Sequence, residues 1–159
     1  MDISSRNKYP SGALSNFAPH PFLYRGIKIN SMEGFLQGLK FKNPEMQKHV
    51  FTLVGRAAKS KGAKKNWQKQ QHTLWLFGQP IDRLSDDYQA ILDDVYNELT
   101  RQNEGFRKAL LATMNATLTH AIGNRNPKNT VLTESEFVSR LTKMRDYARE
   151  LEDDNNVEK

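Results

Sequence analysis

The sequence predicts an α+β domain dominated by helices, with a short N-terminal β-hairpin and a few other short strands. Three observations carry this expectation. Apolar residues recur at helical spacing in several separate stretches, the clearest being Tyr88, Ile91, Leu92, Val95, Tyr96 and Leu99. The runs that read as strands are short, and Phe22-Leu23-Tyr24 and Ile27-Lys28-Ile29 are separated only by Arg25-Gly26. Strands do not alternate with long helices along the chain, which argues against a βαβ wrap. With 159 residues, 37% of them hydrophobic, the chain has the bulk for one core of ordinary size, assigned to residues 6–151. Residues 152–159 are polar and mostly acidic and are expected to be unstructured.

Each element has its own local reason. Gly26 supplies a turn position with positive φ between the two hairpin strands. Ser31 is placed to cap a helix reaching about Phe41, whose apolar stripe is Met32, Phe35, Leu36 and Leu39. Asn43-Pro44 opens a second helix, with asparagine as cap and proline at the first helical position. Its expected buried side is Met46, Val50, Phe51, Leu53 and Val54, and Gly55 and Gly62 mark breaks or boundaries. Thr73-Leu74-Trp75-Leu76-Phe77 reads as a strand ended by Gly78-Gln79-Pro80. Ser85 caps the helix of the long apolar stripe, and another helix spans roughly Glu104 to Thr113 with Phe106, Leu110 and Leu111 inward. Leu118 to Ile122 is read as extended. Thr133-Glu134-Ser135-Glu136 is a capping box that starts a last helix burying Phe137, Leu141, Met144 and Leu151.

Composition excludes several kinds of chemistry. The chain has no cysteine, which removes disulfides, thiolate metal sites and cysteine nucleophiles together. It contains no G-x-G-x-x-G, G-x-x-x-x-G-K-[ST], H-E-x-x-H or G-x-S-x-G. The histidines at 20, 49, 72 and 120 show no metal-ligand spacing, so no metal and no cofactor are expected. No run approaches the roughly 18–20 apolar residues of a membrane span, and the N-terminus lacks an apolar leader, so a cytoplasmic protein is expected.

Charge is sharply segregated. From Lys40 to Lys69 nine basic residues stand against a single acid, Glu45, whereas six acids and one base lie between Asp82 and Glu98. The basic segment is suited to a phosphate-bearing partner, although a solvated surface has the same composition.

Three segments offer candidate chemistry. Glu33, Gln37 and Lys40 stand at i, i+4 and i+7 and share one helix face beside the apolar stripe. Gly34 and Gly38 leave an adjacent strip of bare backbone, the mark of close approach by another helix or by a substrate. The stretch containing Asn16 and Phe17 mixes small polar and aromatic residues that suit a pocket floor or a packed turn. Gly123-Asn124-Arg125-Asn126-Pro127-Lys128-Asn129 combines amides and two bases and suits either phosphate oxygens or a solvated loop.

Taken together, Leu14-Ser15-Asn16-Phe17, Pro21-Phe22, the glycine hairpin and Ser31-Met32-Glu33-Gly34-Phe35-Leu36-Gln37-Gly38-Leu39-Lys40-Phe41 resemble the signature of the NADAR (YbiA-like) N-glycosidases. Val54-Gly55-Arg56, Lys65-Asn66-Trp67, the stretch from Phe106 to Thr113 and Met144-Arg145 follow in that family's order. The resemblance implies a YbiA-like fold and hydrolysis of an N-glycosidic bond in an ADP-ribosyl or ribosyl-phosphate compound, such as ADP-ribosylated guanine or a riboflavin-pathway intermediate. By position it implies Glu33 as the catalytic glutamate and Lys40 as a lysine that forms a Schiff base with the opened ribose. Asn16, Phe17, Gln37, Arg56, Trp67 and Asn124 are carried as substrate-binding or supporting positions. ADP-ribosylated nucleic acid is among the implied partners, served by the basic segment. Two departures stand out: many members have histidine where this chain has Gly34, and a Trp-Gly and Gly-Asn-x-x-Gly stretch where it runs from Ile122-Gly123-Asn124 to Val131-Leu132-Thr133. The alternative is a non-catalytic module that binds ADP-ribose or nucleic acid.

Overall fold

The computed structural model describes residues 1–157. The hairpin forms as predicted: β1 (Phe22–Tyr24) pairs antiparallel with β2 (Ile27–Ile29), with Phe22 opposite Ile29 and Tyr24 opposite Ile27. Both turn residues, Arg25 and Gly26, have positive φ, the two-residue geometry whose twist matches the flanking strands. Ahead of it, α1 (Ser11–Leu14) is a single turn that packs on a later helix, α6 (Glu104–Ala112).

Three helices follow in quick succession: α2 (Met32–Gly38), α3 (Pro44–Phe51) and α4 (Gly55–Ala63). The Ser31 hydroxyl caps α2 by accepting from the Gly34 N–H at 3.0 Å, and Asn43 caps α3 by accepting from the Met46 N–H at 3.0 Å. Met32, Phe35, Leu36 and Leu39 are buried, as their spacing requires. Helix α2 stops short of Phe41, however. Lys40 and Phe41 donate to the carbonyls three residues back, Gln37 and Gly38, so the chain tightens into a 3₁₀-like turn there.

Helix α3 departs from its expected buried side. It ends at Phe51, Met46 is exposed, and Leu53 and Val54 sit half-buried in the connection, because the apolar run there crosses the helix end. The sequence reading took Gly55 and Gly62 as boundaries and found no helix between them. Gly55 instead starts α4 at φ 59°, and Gly62 lies inside that helix. The polar run of α4, with only Ala58 and Gly62 buried, hides the helix from an apolar-stripe reading.

A 3₁₀ turn at Trp67–Lys69 leads into β3 (Thr73–Leu76), which pairs antiparallel with β4 (Gln79–Asp82). Gln79 and Pro80, expected to belong to the turn signal that ends the strand, instead open β4. Pro80 sits opposite Trp75 on the outer strand of this two-stranded pair, where its missing N–H is tolerated.

The remaining scaffold is α5 (Asp86–Gln102), α6 (Glu104–Ala112) and α7 (Glu134–Val157), packed pairwise around the main core. Ser85 caps α5 by accepting from the Tyr88 N–H at 3.2 Å. The capping box of α7 is complete: Thr133 N–H donates to Glu136 Oε1 at 2.8 Å, and Glu136 N–H donates to Thr133 Oγ1 at 3.1 Å. Helix α7 runs through Val157, so residues 152–157 of the acidic end, expected to be unstructured, continue the last helix; 158 and 159 lie outside the described residues. The expected extension at 118–122 is reduced to one parallel bridge between Asp2 and Thr119. No helix among the described residues is long and apolar enough to cross a membrane.

Candidate functional site

Glycines let α2 be held on two sides. A Cβ on Gly34 would stand 2.5 Å from the Leu53 carbonyl oxygen, and one on Gly38 would stand 2.4 Å from the Phe51 ring. The bare strip therefore serves close approach by α3 and its exit, and at Gly34 backbone occupies the space a side chain would need. Helix α4 approaches from the other side, where a Cβ on Gly62 would fall 1.8 Å from Gln37 Oε1. The C-terminal end of α2 is fixed by the fully buried Gln47, whose Nε2 donates to the carbonyls of Gly38 at 2.9 Å and Trp75 at 2.8 Å. Its Oε1 accepts from the Phe77 N–H at 2.9 Å. Lys40 thus projects from a short, tightly framed segment.

On this frame Glu33 and Gln37 of α2 pair, with Lys40 just beyond the helix end. Gln37 Nε2 donates to Glu33 Oε1 at 2.8 Å, while Gln37 Oε1 is buried without a partner. Lys40 Nζ lies 3.5 Å from the Gly62 carbonyl. Burial pushes the Glu33 carboxyl above the ordinary carboxylate range, held back by the Gln37 hydrogen bond and by the charges of Lys59 and Lys40. Burial pushes Lys40 below the ordinary lysine range; Glu33 opposes this and Lys59 adds to it. Lys42 and Lys48, the next lysines along the chain, are not among the charges that act on the pair. They are turned elsewhere, Lys42 over the Trp75 ring at 5.1 Å and Lys48 toward Glu45 at 3.4 Å.

A pocket of about 330 Å³ opens beside this cluster, within the usual range for small-ligand sites. Gln37 and Lys40 form one side, residues 63–68 another, and residues 129–131 the facing wall. Glu33 is not part of the lining; it meets the pocket through Gln37. Trp67 is buried and contributes to the lining, its ring edge-on to His72 at 5.8 Å.

The other candidates are distributed differently. Asn16 supports the start of α2: its carbonyl accepts from the Glu33 N–H at 3.0 Å, and its Oδ1 accepts from the Tyr96 hydroxyl at 2.9 Å. Phe17 lies under Lys59, 6.0 Å from the ammonium to the ring centroid. Arg56 is exposed in the first turn of α4 and is not a lining residue. Asn124 is likewise outside the pocket. Its Oδ1 accepts from the Asn126 N–H at 2.8 Å and its carbonyl from the Glu134 N–H at 2.9 Å, so it shapes the entry to α7. From the same loop it is Asn129 that reaches the pocket.

Gln68, Thr130 and Val131 were missed by sequence reasoning, whereas Asn129 closes the amide-rich segment singled out in the sequence. Thr130 and Val131 lie next to the capping box, but nothing local indicates that they face α2, some 90 residues earlier in the chain. Among the described residues, no three His, Asp or Glu side chains come together as a metal-binding group. The amides and lysines of the lining can donate to phosphate and hydroxyl oxygens.

Comparison with known proteins agrees with this architecture. The NMR structure of the E. coli protein YbiA superimposes with a TM-score of 0.63 at 16% identity, covering 96% of this chain and 86% of that one. The fold is thus the one the sequence resemblance implied. The uncharacterized 17.1 kDa protein in the Gp30-rIII intergenic region of Enterobacteria phage T4 is 41% identical over 147 residues, 92% of this chain and 97% of its own length. The model of the family described as Bacteriophage protein GP30.3 matches residues 8–146. The chain belongs to the bacteriophage protein GP30.3 family.

Proposed function

We propose that the protein is an N-glycosidase that hydrolyses the bond between a ribose C1 and a base nitrogen in an ADP-ribosyl or ribosyl-phosphate compound. One observation carries the reading: Gln37 and Lys40 line a pocket rimmed by amides and lysines, Gln37 holds Glu33 behind it, and burial displaces the Glu33 and Lys40 pKa values in opposite directions. A carboxyl that holds its proton more firmly than usual is a general acid, and an amine that releases its proton more readily is a nucleophile.

In this mechanism the neutral Lys40 amine adds to C1 as the C1–N bond breaks. Glu33 supplies the proton that the departing base nitrogen takes up, and regains one from the amine. Ring opening moves a second proton from the lysine nitrogen to the ring oxygen and leaves an imine between Nζ and C1. Water then adds at C1, the C1–Nζ bond breaks, and the sugar leaves as its aldehyde. Gln37 holds Glu33 Oε1 throughout, leaving Oε2 for the substrate.

The test is a panel of ADP-ribosylated guanosine and ribosylaminopyrimidine phosphates, followed by mass spectrometry for free base, with borohydride added during turnover. The sugar moiety should be trapped covalently on Lys40. Lys40→Ala and Lys40→Arg should abolish both trapping and turnover, since a guanidinium stays charged. Glu33→Gln should lower kcat by about 10²–10⁴-fold. Binding of these compounds without base release would establish a non-catalytic module instead. Full turnover in Lys40→Ala would remove the covalent route.

A further inference from the structure

The facing wall of the pocket is not held by its own loop alone. Arg83 follows β4 and is 1% exposed, yet its guanidinium is fully engaged. Nη2 and Nη1 reach Glu136 Oε1 and Oε2 at 2.6 and 3.1 Å, and Nε donates to the Thr130 carbonyl at 2.9 Å. Beneath the guanidinium, 4.6 Å from its carbon to the ring centroid, lies Tyr88 of α5, whose hydroxyl donates to the Val131 carbonyl. Glu136 in turn accepts from Gln89 Nε2 at 2.6 Å and closes the capping box of α7. Two successive carbonyls of the wall are thereby tied to Arg83 and Tyr88, neither of which lines the pocket.

A buried arginine is costly unless its fork is matched, and this one is matched on every side. The stability of the core does not require its third contact to fall on a pocket wall. We infer that Arg83 and Tyr88 are positioning residues for the ligand: by fixing the Thr130 and Val131 carbonyls they set the distance between the Asn129 side of the pocket and the Gln37–Lys40 side. The affinity part of this inference rests on the pocket being the substrate site, while the wall-holding part does not.

Two readouts on the intact protein separate these parts. Tyr88→Phe removes one hydroxyl and keeps the ring under Arg83, and Arg83→Lys keeps the charge and loses the fork. Tyr24→Phe, at a buried tyrosine whose hydroxyl contacts nothing in the wall, is the control. Hydrogen exchange should accelerate in the segment 123–132 for Tyr88→Phe and Arg83→Lys, with the middles of α5 and α7 as protected as in the parent and no local change in Tyr24→Phe. Exchange that is unchanged, or raised uniformly, would overturn the wall-holding role. With ADP-ribosylated guanosine, KM should rise about fivefold in Tyr88→Phe with kcat within about twofold, as loss of one hydrogen bond predicts. A fall in kcat at constant KM, or no change in either, would overturn the affinity role. If the parent releases no base from either ADP-ribosylated guanosine or the ribosylaminopyrimidine phosphates, the glycosidase reading fails, and the dissociation constant for ADP-ribose takes the place of KM. A parent that does not bind ADP-ribose overturns the affinity role as well, leaving the exchange result standing by itself.

Discussion

The Lys59 ammonium acts on both members of the proposed catalytic pair, favouring the ionised carboxylate at Glu33 and the neutral amine at Lys40. Lys59→Ala should therefore raise both pKa values together, and the bell-shaped dependence of kcat on pH should move to higher pH without narrowing. Limbs that stay in place would show that another cation governs the pair. The same shifts carry a stability cost of definite sign. Glu33 has a folded-state pKa above its unfolded value, so the fold loses stability as pH rises through that titration; Lys40 has one below, so the fold loses stability as pH falls through its own. Between the two, both groups are charged against the preference of their surroundings, which is the strain a working site tolerates. At this scale Glu33, Gln37 and Lys40 were legible because helical spacing alone puts them on one face. Lys59 was not, because its effect depends on α4 lying across α2.

Between elements, Gly62 decides how closely α4 can approach. Gly62→Ala would push a methyl into Gln37 Oε1 and force either the helix or the amide to move. It should destabilise the fold by about 1–3 kcal/mol in urea unfolding and lower kcat by releasing Glu33 from its donor. Adding Gln37→Ala should recover much of the stability and none of the rate; recovery of both would mean that Gln37 does not orient Glu33. The elements with strong local signals were readable: Ser31, Asn43, Ser85 and the Thr133–Glu136 box each mark a helix start that the structure keeps. Those defined by tertiary context were not. Helix α4 has too little apolar surface to announce itself, and β4 is a strand because β3 is beside it.

For the whole molecule, the basic stretch from Lys40 to Lys69 contributes both the floor of the pocket and the exposed lysines at 61, 64 and 65 around it. If the substrate is an ADP-ribosylated nucleic acid, KM should climb steeply with salt as counterions are released, and neutralising Lys61 and Lys69, which are exposed and outside the lining, should flatten that dependence while leaving kcat on a mononucleoside nearly unchanged. A salt-insensitive KM for the polymer would assign these lysines to solubility alone. The family could be read from the order of short motifs along the chain, but the facing wall could not, since its placement needs both ends of the domain.

The connection between α6 and α7 carries a further consequence. It is exposed at Met114, where 71% of the residue is accessible, and at Ile122, where 76% is. The wall residues lie on the far side of those points and are tied to β4, α5 and α7. A protease cutting near Ile122 would thus sever the backbone without severing the wall from its anchors. The lining of the pocket would then come from both sides of the cut, residues 37–68 before it and residues 129–131 after it.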